Sequence, residues 1–523
     1  MNMAAYWIRG ELDVKALRAS IVALRSRHEG LRTSFSSGSR ETVSPGSEVR
    51  AFQHISATNE HRALHVVDVS SAECALSGLR GDVARGRARA EALGQMTANS
   101  LRSVDVSNLP ELSRFRLFRV AEEEHLLCIE AHHAIVDGTS WGLLADDLAQ
   151  GYAAALGAGR TTGSEEHLPS LTDTFMRATL GGAWQYLTGQ DLLPGGARPS
   201  EKNQGGNAVT TASQLPGSYV AWSTSRLRAY TAPQTLDALC EVVESLRGGE
   251  NRGTTLPTDT ARNLHPLWYA EMRPHRSRDL MLDEGALTAI NALARRQKTT
   301  PFVALATVVL LWQHHITGKT DLSLMVTRDG RSVAAQSAIG SFIDDTVLRC
   351  ASLGTASSFS DAVATVAAAW SWTMARAEQA PLAAWDQMFA SLDPLPYVML
   401  FDWISATWGE LSLEGLEVDV VPPEEESLGI AESEFEMEFD EGSGTLTWQY
   451  DCSLYGERTV DSMASALHRV LAHCAESPGA PLLPPCGRFG DVLRTELPPP
   501  PDVRRQVEGW QKKLQQALDE LEK

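Results

Sequence analysis

Two stretches of loop composition cut this chain into patterned halves. Residues 188–218 read TGQDLLPGGARPSEKNQGGNAVTTASQLPGS, and residues 248–263 read GGENRGTTLPTDTARN. Gly, Pro, Ser and Asn at that density give a segment little with which to build helix or strand. The chain has 523 residues, more than one ordinary hydrophobic core organises. The expectation is a first lobe over 1–187, a loop-rich inter-lobe region over 188–265, a second lobe over 266–486, and a Pro spacer with an amphipathic C-terminal helix over 487–523.

Both halves alternate strand and helix patterns. AAYWIRGELD reads as a strand ending in a turn at Gly10. Asp13 then stands as the N-cap of a helix whose apolar face is Val14, Leu17, Ile21 and Leu24. SRFRLFRV and EHLLCIEAHH read as two strands joined by an acidic turn at Glu122 to Glu124. A helix starts near Thr139 or Ser140, with Leu144, Leu148 and Tyr152 on one face. In the second half, LDEGALTAINALARRQKTTPFVALATVVLLWQHHITG reads as two helices, DLSLMVTRDGR and GTLTWQYDCSLY as strands, and ERTVDSMASALHRVLAHCAE as an amphipathic helix. The fold class is therefore α/β.

The formal charge of −20 argues against nucleic acid and anionic membrane as partners. Seven scattered cysteines without a CxxC read as free thiols of a cytoplasmic protein. The N-terminus lacks the pattern of a signal peptide, and the longest apolar run, Pro301 to Trp312, is too short to span a bilayer. Beyond Pro498 to Pro501, residues Val503, Val507, Trp510, Leu514, Leu518 and Leu521 form one helical stripe. That stripe either packs on its own lobe or docks a partner.

The chemistry concentrates in EAHHAIVDGTSW, Glu130 to Trp141. Neighbours on a strand point to opposite faces, so His132 and His133 have different jobs. Asp137, where the strand stops, is placed to pair with an arginine or to orient an imidazole. Gly138 permits positive φ and close approach of a ligand, and its N–H near a helix start favours an oxyanion. A metal site would need a third ligand, and none is near in sequence. TGKT at 317–320 lacks the first glycine of a phosphate loop, because Gln313 stands there.

His132-His133-Ala-Ile-Val-Asp137-Gly138 resembles the HHxxxDG signature of nonribosomal peptide synthetase condensation domains. RHEGLRTSF (27–35) resembles that family's RHExLRTxF. DGRSVAAQSAIGSFIDDTVLRC (329–350) is similar to GR…IGFFVNTLxLR, and DPLPYVMLF (393–401) to SRxPLFQVMF. The resemblance covers roughly residues 5–485. It implies two chloramphenicol-acetyltransferase-like lobes forming a V-shaped pseudodimer with a central tunnel. A peptidyl or acyl carrier protein delivers the donor as a thioester on its phosphopantetheine arm, and a small-molecule or carrier-bound acceptor supplies an amine or hydroxyl. No metal, no permanently bound cofactor and no covalent enzyme intermediate is implied. His133 would accept or position the acceptor's proton, and Gly138 N–H would hold the oxyanion. His132, Asp137 and Arg32 would support the loop, with Asp137 paired to Arg32. Ser140, Trp141, Arg331, Asp344 and Asp345 are the candidates for lining the tunnel.

There are departures. The family's opening SxAQxRLW is not matched, since the chain begins at the strand after it. The Asn and Thr of FVNT are Asp344 and Asp345 here, two acids that favour a cationic or hydroxylated substrate. Three other functions compete with condensation: an epimerisation domain, favoured by Ser140-Trp141; a plant-type acyl-CoA acyltransferase, whose DFGWG is missing; and a non-catalytic recruitment domain.

Overall fold

The computed structural model describes residues 2–37, 51–56, 63–70, 81–98, 112–161, 218–247, 256–260, 273–351, 353–377, 399–404, 410–421, 429–431, 434–486, 508–509, 511–512 and 515. The first elements are β1 (Asn2–Arg9), α1 (Val14–Arg27), β2 (Thr33–Ser37), β3 (Ala51–Ile55), β4 (His65–Asp68) and α2 (Gly81–Ala98). Then come β5 (Ser113–Ala121), β6 (Glu124–Ala131), α3 (Gly138–Thr161), α4 (Tyr219–Tyr230) and α5 (Pro233–Arg247). The second half holds β7 (Arg273–Met281), α6 (Glu284–Arg296), α7 (Pro301–Thr317), β8 (Leu322–Asp329), β9 (Ile343–Cys350), α8 (Phe359–Ala377) and β10 (Leu400–Ile404). It closes with β11 (Glu417–Val420), β12 (Gly429–Ala431), β13 (Phe435–Asp440), β14 (Thr445–Asp451) and α9 (Glu457–Glu476).

In the first unit a five-stranded sheet runs β11–β1–β6–β5–β4. Only β4 and β5 pair in parallel. Gly10 turns the chain out of β1 at φ +113°, a conformation that a side chain disfavours. Asp13 caps α1, accepting from the N–H groups of Lys15 and Ala16, each at 2.9 Å. Strand β6 is buried along its whole length: Leu126–Ile129 read as an apolar run, and its buried Glu124 and Glu130 are paired with Arg89 and Arg116. Its Leu127 and Ile129 meet α1 and α3 through Leu17, Ile21, Leu144, Leu148 and Tyr152. Its Leu126 and Cys128 meet Ala88, Ala92 and Met96 of α2 on the other face. Helix α3 lies close on α1 because Gly151 has no side chain: a Cβ there would come within 2.9 Å of Ser20 Cβ.

In the second unit a seven-stranded sheet runs β12–β7–β14–β13–β10–β8–β9, with β10 parallel to both neighbours. Helix α7 is buried from Val303 to Ile316. Thr300 caps it, Pro301 opens it, and Gly318 closes it at φ +71°. Trp312 Nε1 donates to Met463 O of α9 at 2.9 Å, which satisfies that buried indole. One sheet face joins this core through Phe401, Met437, Leu446, Trp448 and Leu280. The other face is polar, with Asp402 opposite Glu438, Glu438 opposite Thr447, and Thr447 opposite Asp279.

The units are not consecutive lobes. The first comprises 1–224, 331–342 and 406–424, and the second comprises 225–330, 343–405 and 425–523. This differs from the contiguous boundaries read from the sequence. Strand β11 leaves the second half to extend the first sheet at β1, and Leu411 and Leu413 enter the first core. Within the expected loop-rich region, 219–247 is helical as α4 and α5. Among the described residues no helix is long and apolar enough to cross a membrane, and no group of three His, Cys, Asp or Glu is placed to hold a metal. Of the C-terminal helix, 508–509, 511–512 and 515 are described and helical; its apolar stripe lies outside the described residues. There Gln511 Nε2 donates to the carbonyls of Tyr230 and Ala232 at 3.0 and 3.3 Å.

Candidate active site

Strand β6 stops at Ala131, one residue before the histidine pair, so strand alternation does not separate His132 from His133 as the sequence predicts. A tight turn does. His132 N–H donates to Leu112 O at 2.8 Å, and Ile135 N–H donates to His132 O at 2.9 Å. Ala134 N–H donates to His132 Nδ1 at 3.1 Å. That nitrogen therefore carries a lone pair, and His132 is held as a turn residue. Ile135 and Val136 then enter the core, while His133 is left exposed. Among the described residues His133 has no hydrogen-bond partner.

Asp137 caps α3. Its Oδ1 accepts from the N–H of Ser140, third in the helix, at 2.9 Å. Arg331 grips the same carboxylate through both terminal nitrogens, Nη1 to Oδ2 at 2.8 Å and Nη2 to Oδ1 at 2.7 Å. Phe342 N–H adds a bond to Oδ2 at 2.8 Å. The pair is almost fully buried, at 1% exposure for Asp137 and 4% for Arg331. The Arg331 guanidinium lies 4.2 Å over the Phe342 ring. The expected partner Arg32 is elsewhere: its Nε donates to Arg25 O at 2.8 Å and its Nη1 to Ser56 O at 2.5 Å. Arg32 leaves a 3₁₀ turn (Glu29–Arg32) and is drawn to carbonyls near its own segment. Arg331 is thus the loop's anchor, not a tunnel wall.

Ser140 and Trp141 are also structural. Ser140 Oγ donates to Gly340 O at 2.8 Å and accepts from Gly340 N–H at 3.1 Å and from Arg331 Nη2 at 2.8 Å. Trp141 is 1% exposed within the first core. Gly138 is exposed at the first turn of α3 and does not use positive φ. A Cβ on it would meet nothing within 4 Å, so open space lies in front of its backbone. Its N–H is one of the helix-start donors that the helix itself leaves unpaired.

The RHEG turn braces this loop. His28 Nε2 meets Asp147 Oδ2 at 2.6 Å, and its Nδ1 accepts from Ile339 N–H at 3.3 Å. Burial lowers the His28 pKa, although Asp147 raises it, so a neutral ring with its proton on Nε2 satisfies both contacts. Gly30 lies where a Cβ would be 3.1 Å from Ile339 O and 3.2 Å from Ile135 O. The motif's glycine therefore admits two loops at once.

Asp344 and Asp345 belong to the second unit and are taken up there. Asp344 pairs with Arg226 and with Arg328, the latter at 2.6 Å. Asp345 Oδ1 accepts from Thr327 Oγ1 at 2.9 Å. Two arginines already balance Asp344, which removes the reason for expecting it to select a cationic substrate. The acid that sequence reasoning missed is Glu438. Burial, and then Asp402 beside it, push its carboxyl up to about 7. Its signal was the charged alternation FEMEFD, which puts Glu436, Glu438 and Asp440 on one strand face.

Residues 1–168 match the Condensation domain family model. The nonribosomal peptide synthetase kk1B of Curvularia clavata is 23% identical over 489 residues, 91% of this chain and 3% of its own length. The chain thus corresponds to a small part of such a synthetase. Among solved structures, the complex of the X-domain and OxyB from teicoplanin biosynthesis matches with TM-score 0.62 at 20% identity, covering 94% of this chain and 91% of that one. The condensation domain of the monacolin K polyketide synthase MokA matches with TM-score 0.61 at 15% identity, covering 92% and 93%. Residues 1–168, which carry the histidine turn and the buried Asp137, thus match the Condensation domain family, and the fold of the chain is similar to that of solved condensation domains.

Proposed function

We propose that this chain transfers an acyl or aminoacyl group from a carrier-bound phosphopantetheine thioester to an amine or hydroxyl, forming an amide or ester. The observation that carries this reading is His133: it is the exposed imidazole of a loop whose other polar groups are spent on holding the loop. Its ring takes the proton of the attacking nucleophile, or aligns the nucleophile by hydrogen bonding. Attack on the thioester carbonyl gives a tetrahedral oxyanion, toward which Gly138 N–H is offered at the helix start. Collapse breaks the C–S bond, and the proton passes to the departing thiolate of the arm. Rate comes largely from holding both reactants together, so no covalent enzyme intermediate is required.

The test is incubation of a loaded carrier protein with candidate amines and alcohols, followed by mass spectrometry. His133→Ala is expected to lower turnover by about 10²–10⁴-fold. Full activity in that variant sinks the role.

The similarity to an X-domain found in complex with OxyB supports a second reading, recruitment of a partner enzyme without turnover. Stable binding of a partner with no product from any loaded carrier decides for it.

A further inference from the structure

Helix α4 follows directly on a stretch that sequence reading treated as linker, yet its first turn sits against the loop that anchors Asp137. Glu29 of the RHEG turn receives that helix start: its Oε2 accepts from Ser218 Oγ at 3.0 Å and from Val220 N–H at 3.3 Å. Ser218 Oγ in turn accepts from Ala221 N–H at 3.0 Å, capping the helix. This docking directs Tyr219 and Trp222 at Phe342. Tyr219 meets its ring edge-on at a centroid distance of 5.1 Å, and Trp222 lies at 4.7 Å. Tyr219 also covers Gly340 so closely that a Cβ there would lie 2.3 Å from its ring.

Phe342 and Gly340 are, with Arg331, the residues through which the 331–342 segment holds the histidine loop. Phe342 gives its N–H to Asp137 and its ring face to Asp137's partner Arg331. Gly340 exchanges two hydrogen bonds with Ser140. Apart from a short 3₁₀ turn at Val333–Ala335, the segment has no regular structure of its own, and Val333 is 86% exposed. Its geometry must therefore be imposed from outside. The aromatic pair on α4 meets the same Phe342 ring over which the Arg331 guanidinium lies.

We propose that Tyr219 and Trp222 are positioning residues for His133, acting through Phe342 and Gly340 on Arg331, Ser140 and Asp137. The kinetic part of this inference rests on the acyl-transfer reading; the structural part does not. Small displacements of a loop that carries a reacting group are expensive, since about 1 Å can cost about a hundredfold in rate.

The experiment uses the full chain labelled with [¹³C]histidine, with the His133 signal assigned by its loss in His133→Ala. In Trp222→Ala the His133 signal should shift or broaden while that of His275, buried in the second unit, stays in place. Trp222→Phe should restore it. With a loaded carrier, Trp222→Ala should lower kcat by about tenfold or more with KM within about twofold, the pattern of lost positioning. A folded Trp222→Ala with an unmoved His133 signal overturns the proposal, as does an unchanged kcat. Should Trp222→Ala fail to fold, Trp222→Leu is read by the same criteria. If the wild-type chain turns over no carrier, the acyl-transfer reading fails, and the histidine signal alone decides the positioning role.

Discussion

Asp137 shows how a buried charge becomes tolerable. Its two oxygens accept four hydrogen bonds, two from Arg331 and one each from the N–H groups of Ser140 and Phe342. A carboxylate has about four acceptor sites, so none is left unpaired. Such a pair adds little net stability over an apolar substitute, but breaking it strands a charge. Arg331→Met is expected to cost about 3–5 kcal/mol in urea unfolding, and adding Asp137→Asn to it should recover part of that loss. A cost under about 1 kcal/mol for the single variant, or no recovery in the double, would contradict this account. That an arginine would serve Asp137 was legible in the sequence; which arginine was not. Arg331 is 194 positions away, and nothing local distinguishes it from Arg32.

At the scale of the element, β13 shows a sheet face divided between core and acid. Phe435, Met437 and Phe439 enter the core, while Glu436, Glu438 and Asp440 occupy the opposite face. Register places Asp402 of β10 directly across from Glu438, and like charges so placed repel. The folded chain therefore holds a proton on Glu438 up to about pH 7, against 4.5 for an ordinary glutamate. Because the folded state binds this proton more tightly, its contribution is fully present below about pH 4.5 and is lost as pH rises through about 7. Glu438→Gln should stabilise the chain at pH 8 by about 3 kcal/mol at most, and the gain should vanish toward pH 5. Equal effects at both values would show that Glu438 titrates normally. The alternation that makes this face was visible in FEMEFD; the cross-strand partner was not. Helices α4 and α5 were missed although Leu236, Leu239 and Val242 recur at helical spacing, because Gly- and Pro-rich flanks dominated the window.

For the molecule as a whole, the interleaving of the units has a direct consequence. A fragment ending at Thr224 lacks 331–342 and 406–424, which complete its unit. It leaves Asp137 without Arg331, Ser140 without Gly340, and the outer edge of β1 without β11. Such a fragment is expected not to give the dispersed amide spectrum of a folded domain, whereas the full chain should. A cooperatively folded 1–224 would refute this view of the unit. The sequence by itself determined the α/β class and the helices and strands that carry strong periodicity, and it singled out the histidine stretch as the candidate place for chemistry. These are properties of short windows, written in side-chain spacing and in turn residues. Tertiary structure alone decided that a turn sets His133 apart from His132, that Arg331 holds Asp137, that Arg226 and Arg328 neutralise Asp344, and that two late segments complete the first unit. Each of those outcomes is a choice among distant partners of similar chemistry, and it is made by which groups the packed core brings within hydrogen-bonding distance.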